Sequence, residues 1–214
     1  MELTIEQALG HRWAMFYHSQ WPVEDLLPIC TLEQSIDIVN CQLQHSRDLS
    51  IWDPNHQDEI ARLLRVNWIY QRLGNEPIRK PILVHKHLDQ LVVDCGDTRL
   101  MSVKLLSDPG SVSVIITVPK ECSDQYADWQ QIYNNQDLRQ VTGFGTSANI
   151  LLRQATGDYA VEWLEIGDHT TAHHLHNVDQ RVDMMQCYID EQPDDFKFSV
   201  DWARTSIDWD TYIK

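Results

Sequence analysis

Residues 81–118 read as a strand, a turn, a second strand, a glycine junction, a short helix and a third strand, and no other stretch of the 214-residue chain restricts the fold as much. Pro77 and Pro81 forbid helix on the way in, and Pro81-Ile82-Leu83-Val84 opens a short apolar strand. His87-Leu88-Asp89-Gln90 suits a turn, and Leu91-Val92-Val93 predicts the second strand. Beyond the polar knot Asp94-Cys95-Gly96-Asp97-Thr98-Arg99, the residues Leu100, Val103 and Leu106, with Met101 and Leu105 beside them, predict the buried face of a helix. That helix must end before Asp108-Pro109-Gly110, a strong turn signal, and the β-branched run Val112 to Val118 predicts the third strand. The pattern is that of an α/β core, and with helices predicted on both sides the expected class is α+β.

The flanks are read from periodicity and punctuation. Helices are expected over 4–17 and 31–45; in the second, Thr31 can cap while Leu32, Ile36, Val39 and Leu43 fall at helical spacing. A longer helix begins at Asn55 as cap, carries Ile60, Leu63, Leu64, Ile69 and Leu73 on one face, and stops at Gly74. After Pro119 the pattern predicts a helix over about 124–135, a loop at Gly143 and Gly145, and a hairpin pairing 150–152 with 159–166 through Thr156-Gly157-Asp158. A last helix is expected over 170–190, and Phe196, Phe198, Trp202 and Trp209 make the end too aromatic to be a disordered tail. Three consecutive segments result: a helical one over 1–51, the core over 52–121 and an acidic mixed extension over 122–214.

Charge narrows the function classes. The formal charge of −15 argues against coating a phosphate backbone, so direct nucleic acid binding is not expected. Residues 122–214 hold 16 acids against 6 bases, whereas residues 60–104 hold 8 bases against 4 acids. A small anion would be drawn to the second segment by its local field. No stretch is long and apolar enough for a membrane span and the first residues lack a signal-peptide layout, which predicts a cytoplasmic protein. The five scattered cysteines, Cys30, Cys41, Cys95, Cys122 and Cys187, include no C-x-x-C pair and read as reduced, mostly buried thiols.

The knot at 94–99 carries the chemistry. A strand that ends in a glycine turn and feeds a helix aims the unpaired N–H groups of the first helical turn at one point, where anions bind. Gly96 allows close approach of a ligand to the backbone, Asp97 or Thr98 can cap the helix, and Arg99 offers a fork of donors matched to phosphate oxygens. Asp94 and Asp97 are the candidate catalytic carboxylates, able to hold magnesium or position a hydroxyl. A plain N-cap with an exposed arginine on the first turn explains the same residues without a ligand.

The order of a helix, "RLGNEPIRKPILV", a turn, "LVVDCGDTRLMSVKLL", a turn and "VSVIITVP" resembles the N-terminal domain of the ParB/sulfiredoxin superfamily over residues 52–120. The resemblance implies a ParB-like nucleotide-binding core in which Gly96, Asp97, Thr98 and Arg99 contact the phosphates of ATP or CTP with magnesium, and it suggests a bacteriophage origin. Hydrolysis or phosphoryl transfer would be the matching activity. ParB proteins usually carry Gly-Glu-Arg-Arg at this turn, so Asp97 and Thr98 depart from them. Sulfiredoxins place their reactive cysteine just after the glycine, whereas Cys95 comes just before it, which sets sulfinic acid reductase chemistry aside.

Other features are weaker. His169, His173, His174 and His176 sit near the start of a predicted helix but form no H-E-x-x-H pattern, and no metal site is assigned to them. "DLRQVTGFGTSANILLR" has some helix-turn-helix character in acidic surroundings, and a loop with a hairpin is the preferred reading. Trp13, Trp21, Trp68, Trp129 and Trp163 are expected to pack in the core. The alternative function is a non-enzymatic interaction protein that captures a protein partner through its acidic C-terminal half, with "SVDW" and "SIDW" as contacts.

Overall fold

The computed structural model describes residues 13–73, 78, 81–87, 90–132, 137, 148–155, 158–165 and 178–212. The chain is α+β, with helices and a mixed six-stranded sheet. It divides into two compact units, each drawn from three stretches: 1–29, 78–97 and 110–168 form the first, and 30–77, 98–109 and 169–214 the second. These differ from the consecutive segments 1–51, 52–121 and 122–214, because strands and helices far apart in sequence pair with one another.

The first unit contains the sheet. Its strands are β1 (Trp13–Pro22), β2 (Leu26–Leu27), β3 (Ile82–His87), β4 (Gln90–Cys95), β5 (Ser111–Pro119) and β6 (Gln130–Ile132), in the order β2-β4-β3-β5-β1-β6. The pairs β2/β4 and β3/β5 are parallel and the others antiparallel. Register places Ala14 beside Val118, Phe16 beside Ile116, Val84 beside both Ile116 and Val93, and Ile82 beside Val114. All of these are buried, so one face of the sheet is a continuous apolar layer. The other face gathers Met15, Leu83, Ile115 and Ile132, with Tyr17 and Cys95 at its margin. β7 (Ala148–Ala155) and β8 (Asp158–Glu165) pair antiparallel as a separate two-stranded sheet, from Ala148 beside Glu165 to Ala155 beside Asp158.

Two helix expectations fail here. Residues 13–17 belong to β1, flanked by β5 and β6, and the expected helix over 4–12 lies outside the described residues. An apolar run such as Trp13-Ala14-Met15-Phe16-Tyr17 suits either period, and cross-strand pairing decides it. The helix expected over about 124–135 is not formed over 124–132, where Lys120–Tyr126 is 3-10 helix and Gln130–Ile132 is the edge strand; 133–135 lie outside the described residues. Tyr126 and Trp129 have helical spacing, but Tyr126 stacks on Phe16 with ring centroids 5.5 Å apart.

The second unit is helical: α1 (Leu32–His45), α2 (Pro54–Leu73), α3 (Asp97–Lys104) from its second residue onward, and α4 (Val178–Asp190). Thr31 opens α1 with a capping box, its hydroxyl accepting from Gln34 N at 3.2 Å while Gln34 Oε1 accepts from Thr31 N at 2.8 Å. The cap of α2 is Asp53, whose carboxylate takes the Asn55 N–H at 2.9 Å, with Pro54 at the first helical position; Asn55, the expected cap, is already inside the helix. Gly74 lies outside the described residues, as do 170–177 of the last predicted helix.

Phe198, Trp202 and Trp209 are buried with Ile60, Leu63 and Leu64 of α2 and Met185 and Tyr188 of α4. Trp202 and Trp209 therefore belong to the core of this unit. Asn67 of α2 is fully buried and holds the C-terminal segment directly. Its amide nitrogen donates to the carbonyls of Thr205 at 2.9 Å, Ala203 at 3.2 Å and Trp202 at 3.3 Å, while its oxygen accepts from Trp209 Nε1 at 2.9 Å and Gln71 Nε2 at 2.7 Å. Among the described residues, no helix is long and apolar enough to cross a membrane.

Candidate functional site

The knot is a strand end, a glycine and a helix start, as its pattern implies. β4 stops at Cys95, Gly96 takes φ +110°, and α3 begins at Asp97. That φ is one L-residues rarely adopt, which is why glycine stands there. Gly96 occupies the cap position of α3 and has no side chain to accept the N–H groups of the first turn. Residues 95–99 are all partly exposed.

Asp97, expected as a cap, is the first helical residue, and its Oδ1 accepts the N–H of Ile29 at 3.3 Å. Thr98 contributes its carbonyl, which accepts from Ser102 Oγ at 2.7 Å, and Ser102 Oγ also lies 3.1 Å from the carbonyl of Val66. Arg99 follows within the same helical turn. Gly96, Asp97, Thr98 and Arg99 are thus consecutive on one bend of chain, and the division between the two units falls after Asp97.

Asp94 is held differently. The β3/β4 register shifts between Leu83 and Val84, which pair with Cys95 and Val93, so Asp94 is the extra residue of a β-bulge. Its Oδ1 lies 2.6 Å from His85 Nδ1, and both side chains are about two-fifths exposed, at 43% and 42%. Burial pushes the Asp94 carboxyl above the ordinary carboxylate range, against the opposing pull of His85. His85 was not singled out by sequence. The signal that finds it is the hairpin itself: pairing His87 with Gln90 sets His85 opposite Val92, and Asp94 is then its diagonal neighbour.

Several of the described bases of 60–104 are engaged locally, and Arg79 and Lys80 lie outside the described residues. Arg62 pairs with Glu59 at 3.5 Å, the Arg72 guanidinium stacks 3.8 Å over Trp68, and Lys86 donates to Gln125 at 3.2 Å. All five thiols are free, as expected, but none is fully buried, and Cys41 and Cys187 are exposed. Cys187 lies on the solvent side of α4, where Met184, Met185 and Tyr188 face inward. Trp68 is in the core, whereas Trp21 and Trp129 are half-buried and stack on each other and on His18 at centroid distances of 5.0–5.4 Å. The histidines 169, 173, 174 and 176 lie outside the described residues; among those described, no group of three or more His, Cys, Asp or Glu is placed to hold a metal ion. Residues 148–153 of the helix-turn-helix candidate are strand β7.

No protein-family model matches the chain, and neither does any curated protein or any solved structure.

Proposed function

We propose that this chain binds a nucleotide or another phosphorylated ligand at the turn 94–99, as a ParB-like protein. The observation that carries the reading is the junction itself: Gly96 at φ +110° precedes the start of α3 and lets a ligand approach the backbone at a helix N-terminus, where anions bind. The order of hairpin, glycine turn, helix and β5 is the one the ParB/sulfiredoxin resemblance leads one to expect, and it supports the same reading. Arg99 would supply charge to phosphate oxygens.

The residues fit ATP or CTP phosphates better than a separate metal cage. Magnesium on such ligands is carried mostly by phosphate and water and needs one or two carboxylates. Asp97, next to the glycine, accepts from Ile29 N, and Asp94 is engaged by His85. When bound, the ion neutralises phosphate charge; Gly96 and Arg99 orient the phosphates. Hydrolysis or phosphoryl transfer would draw on Asp94 or Asp97.

The test is a thermal-shift and calorimetric screen of nucleoside mono-, di- and triphosphates, with and without magnesium. A ligand at a hundred times its Kd stabilises the protein by about 2.7 kcal/mol. Arg99→Ala is expected to abolish that gain. Absence of any shift at millimolar nucleotide refutes the reading.

A second reading, capture of a basic protein partner, is favoured by the outward acids of the second unit, where Asp183, Asp190, Asp194, Asp195, Asp201 and Asp208 are all exposed. Its test is charge reversal at these positions. Deletion of 193–214 would remove core tryptophans along with any docking surface.

A further inference from the structure

The pair of Asp94 and His85 belongs to a larger arrangement on one face of the sheet, all of it within the first unit. β3 and β5 run parallel with Leu83 beside Ile115 and Val84 beside Ile116, so one step further along both strands His85 stands beside Thr117. Side chains alternate along a strand, and Leu83 and Ile115 pack in one cluster, which puts His85 and Thr117 on that same face. Neighbouring strands lie about 4.8 Å apart, close enough for the two side chains to share one small partner. Thr117 Oγ1 is shut off from solvent and has no hydrogen-bond partner among the described residues. A hydroxyl so placed calls for one, a held water or a reacting group. The ring beside it is oriented from its other end. An ionised carboxylate only accepts, so in the 2.6 Å contact with Asp94 the proton sits on His85 Nδ1, and the neutral ring keeps its lone pair on Nε2. The bulge that turns Asp94 toward the ring is a device found beside active sites, where it re-aims a side chain.

We propose that His85 is a general base that takes a proton from a water held at Thr117 Oγ1, that Asp94 positions its ring, and that the substrate is an uncharged carboxylic ester. The water oxygen bonds to the carbonyl carbon as one of its protons passes to His85 Nε2. The bond to the alcohol oxygen then breaks and that oxygen takes the proton back, which yields acid and alcohol and returns the ring to its neutral form. Asp94 stabilises the imidazolium that stands between the two transfers. The surroundings choose the substrate class. Met15 beside Thr117 and Val92 beside His85 offer an apolar seat for an acyl chain, whereas the Asp94 carboxylate at the ring disfavours an anion there. The inference goes beyond the phosphate reading and uses no residue of α3.

The experiment is hydrolysis of p-nitrophenyl acetate and p-nitrophenyl butyrate by the full chain, followed by p-nitrophenolate release, in the native protein and in His85→Gln, His85→Gly, Asp94→Asn, Thr117→Val and His45→Gln. His45 is the control: its Nδ1 lies 2.7 Å from the carbonyl of Cys41, so its Nε2 keeps the lone pair in the same way, but the partner is no carboxylate. His85 and Asp94 are about two-fifths exposed, so their variants are expected to fold, which circular dichroism checks. The expected result is saturable hydrolysis, with a loss of at least about a hundredfold in kcat for His85→Gln and none for His45→Gln. Asp94→Asn and Thr117→Val should lower kcat with KM unchanged, and added imidazole should restore part of the rate to His85→Gly. A native rate no higher than that of free imidazole at the same concentration, a full rate in His85→Gln, or an equal loss in His45→Gln overturns the general base. An unchanged kcat in Thr117→Val overturns the held water.

Discussion

Asn67→Ala removes a buried side chain that ties α2 to the C-terminal segment from both its donor and acceptor ends. Two buried groups then lose the side-chain partner described above: Trp209 Nε1 and the carbonyl of Ala203. The carbonyl of Thr205 still receives Gln71 Nε2 at 3.2 Å, and that of Trp202 still receives Thr205 Oγ1 at 2.7 Å. Each orphaned buried group costs about 1–3 kcal/mol, which sums to about 4 kcal/mol, and the better helix propensity of alanine returns about 0.5 kcal/mol. Against a total stability of about 5–15 kcal/mol this is a large fraction. Urea unfolding followed by tryptophan fluorescence and circular dichroism should show the midpoint falling by nearly 2 M if the slope is about 2 kcal/mol/M. Trp209→Phe removes the indole N–H, so the double variant should lose less than the sum of the singles by about 1–2 kcal/mol. A loss below about 1 kcal/mol for Asn67→Ala, or strict additivity with Trp209→Phe, would refute the pin.

Arg47 closes the end of α4 by donating to the carbonyls of Ile189, Gln192 and Pro193. Arg47→Lys replaces a planar fork by a point charge and should cost about 1.5–3 kcal/mol, read as a lower urea midpoint together with faster amide exchange over 189–196. Tyr212 is pushed up to about 12 by burial and by its hydrogen bond to Glu191, against an ordinary value of 10.0. A raised folded value means the folded state holds the proton longer. Its contribution is complete below pH about 10 and is lost as pH rises through about 12. Tyr212→Phe should therefore flatten the alkaline limb of the stability curve in that window, and an unchanged limb would remove Tyr212 as its cause.

What the sequence discloses follows from how local the determining contacts are. Thr31 and Gln34 are three residues apart and build their cap without help, so α1 is legible. The run Val112 to Val118 is β-branched enough to choose its own state. The glycine turn is equally local, and Gly96 stands at the strand-to-helix junction that the pattern predicts, although Asp97, expected as a cap, is already helical. β1 is different, because Met15 and Phe16 become strand only once Thr117 and Ile116 lie beside them, about a hundred residues on. His85 and Asp94 meet through hairpin register, and Asn67 meets Trp209 across 142 residues. No window of sequence contains both partners of such a contact. The Ile29 contact with Asp97, 68 residues away, escaped for the same reason.

The interleaving of the two units also dictates when each can form. During synthesis β1 emerges early and must wait for β5, its partner in the sheet, while the whole of α1 and α2 is made between them. Those helices in turn lack Phe198, Trp202 and Trp209 until the ribosome has passed the last of these. Neither unit can complete its core from a consecutive piece of nascent chain, so folding is expected to be late and to close long loops, which slows it. A chain of this design is exposed to chaperones and proteases for most of its translation.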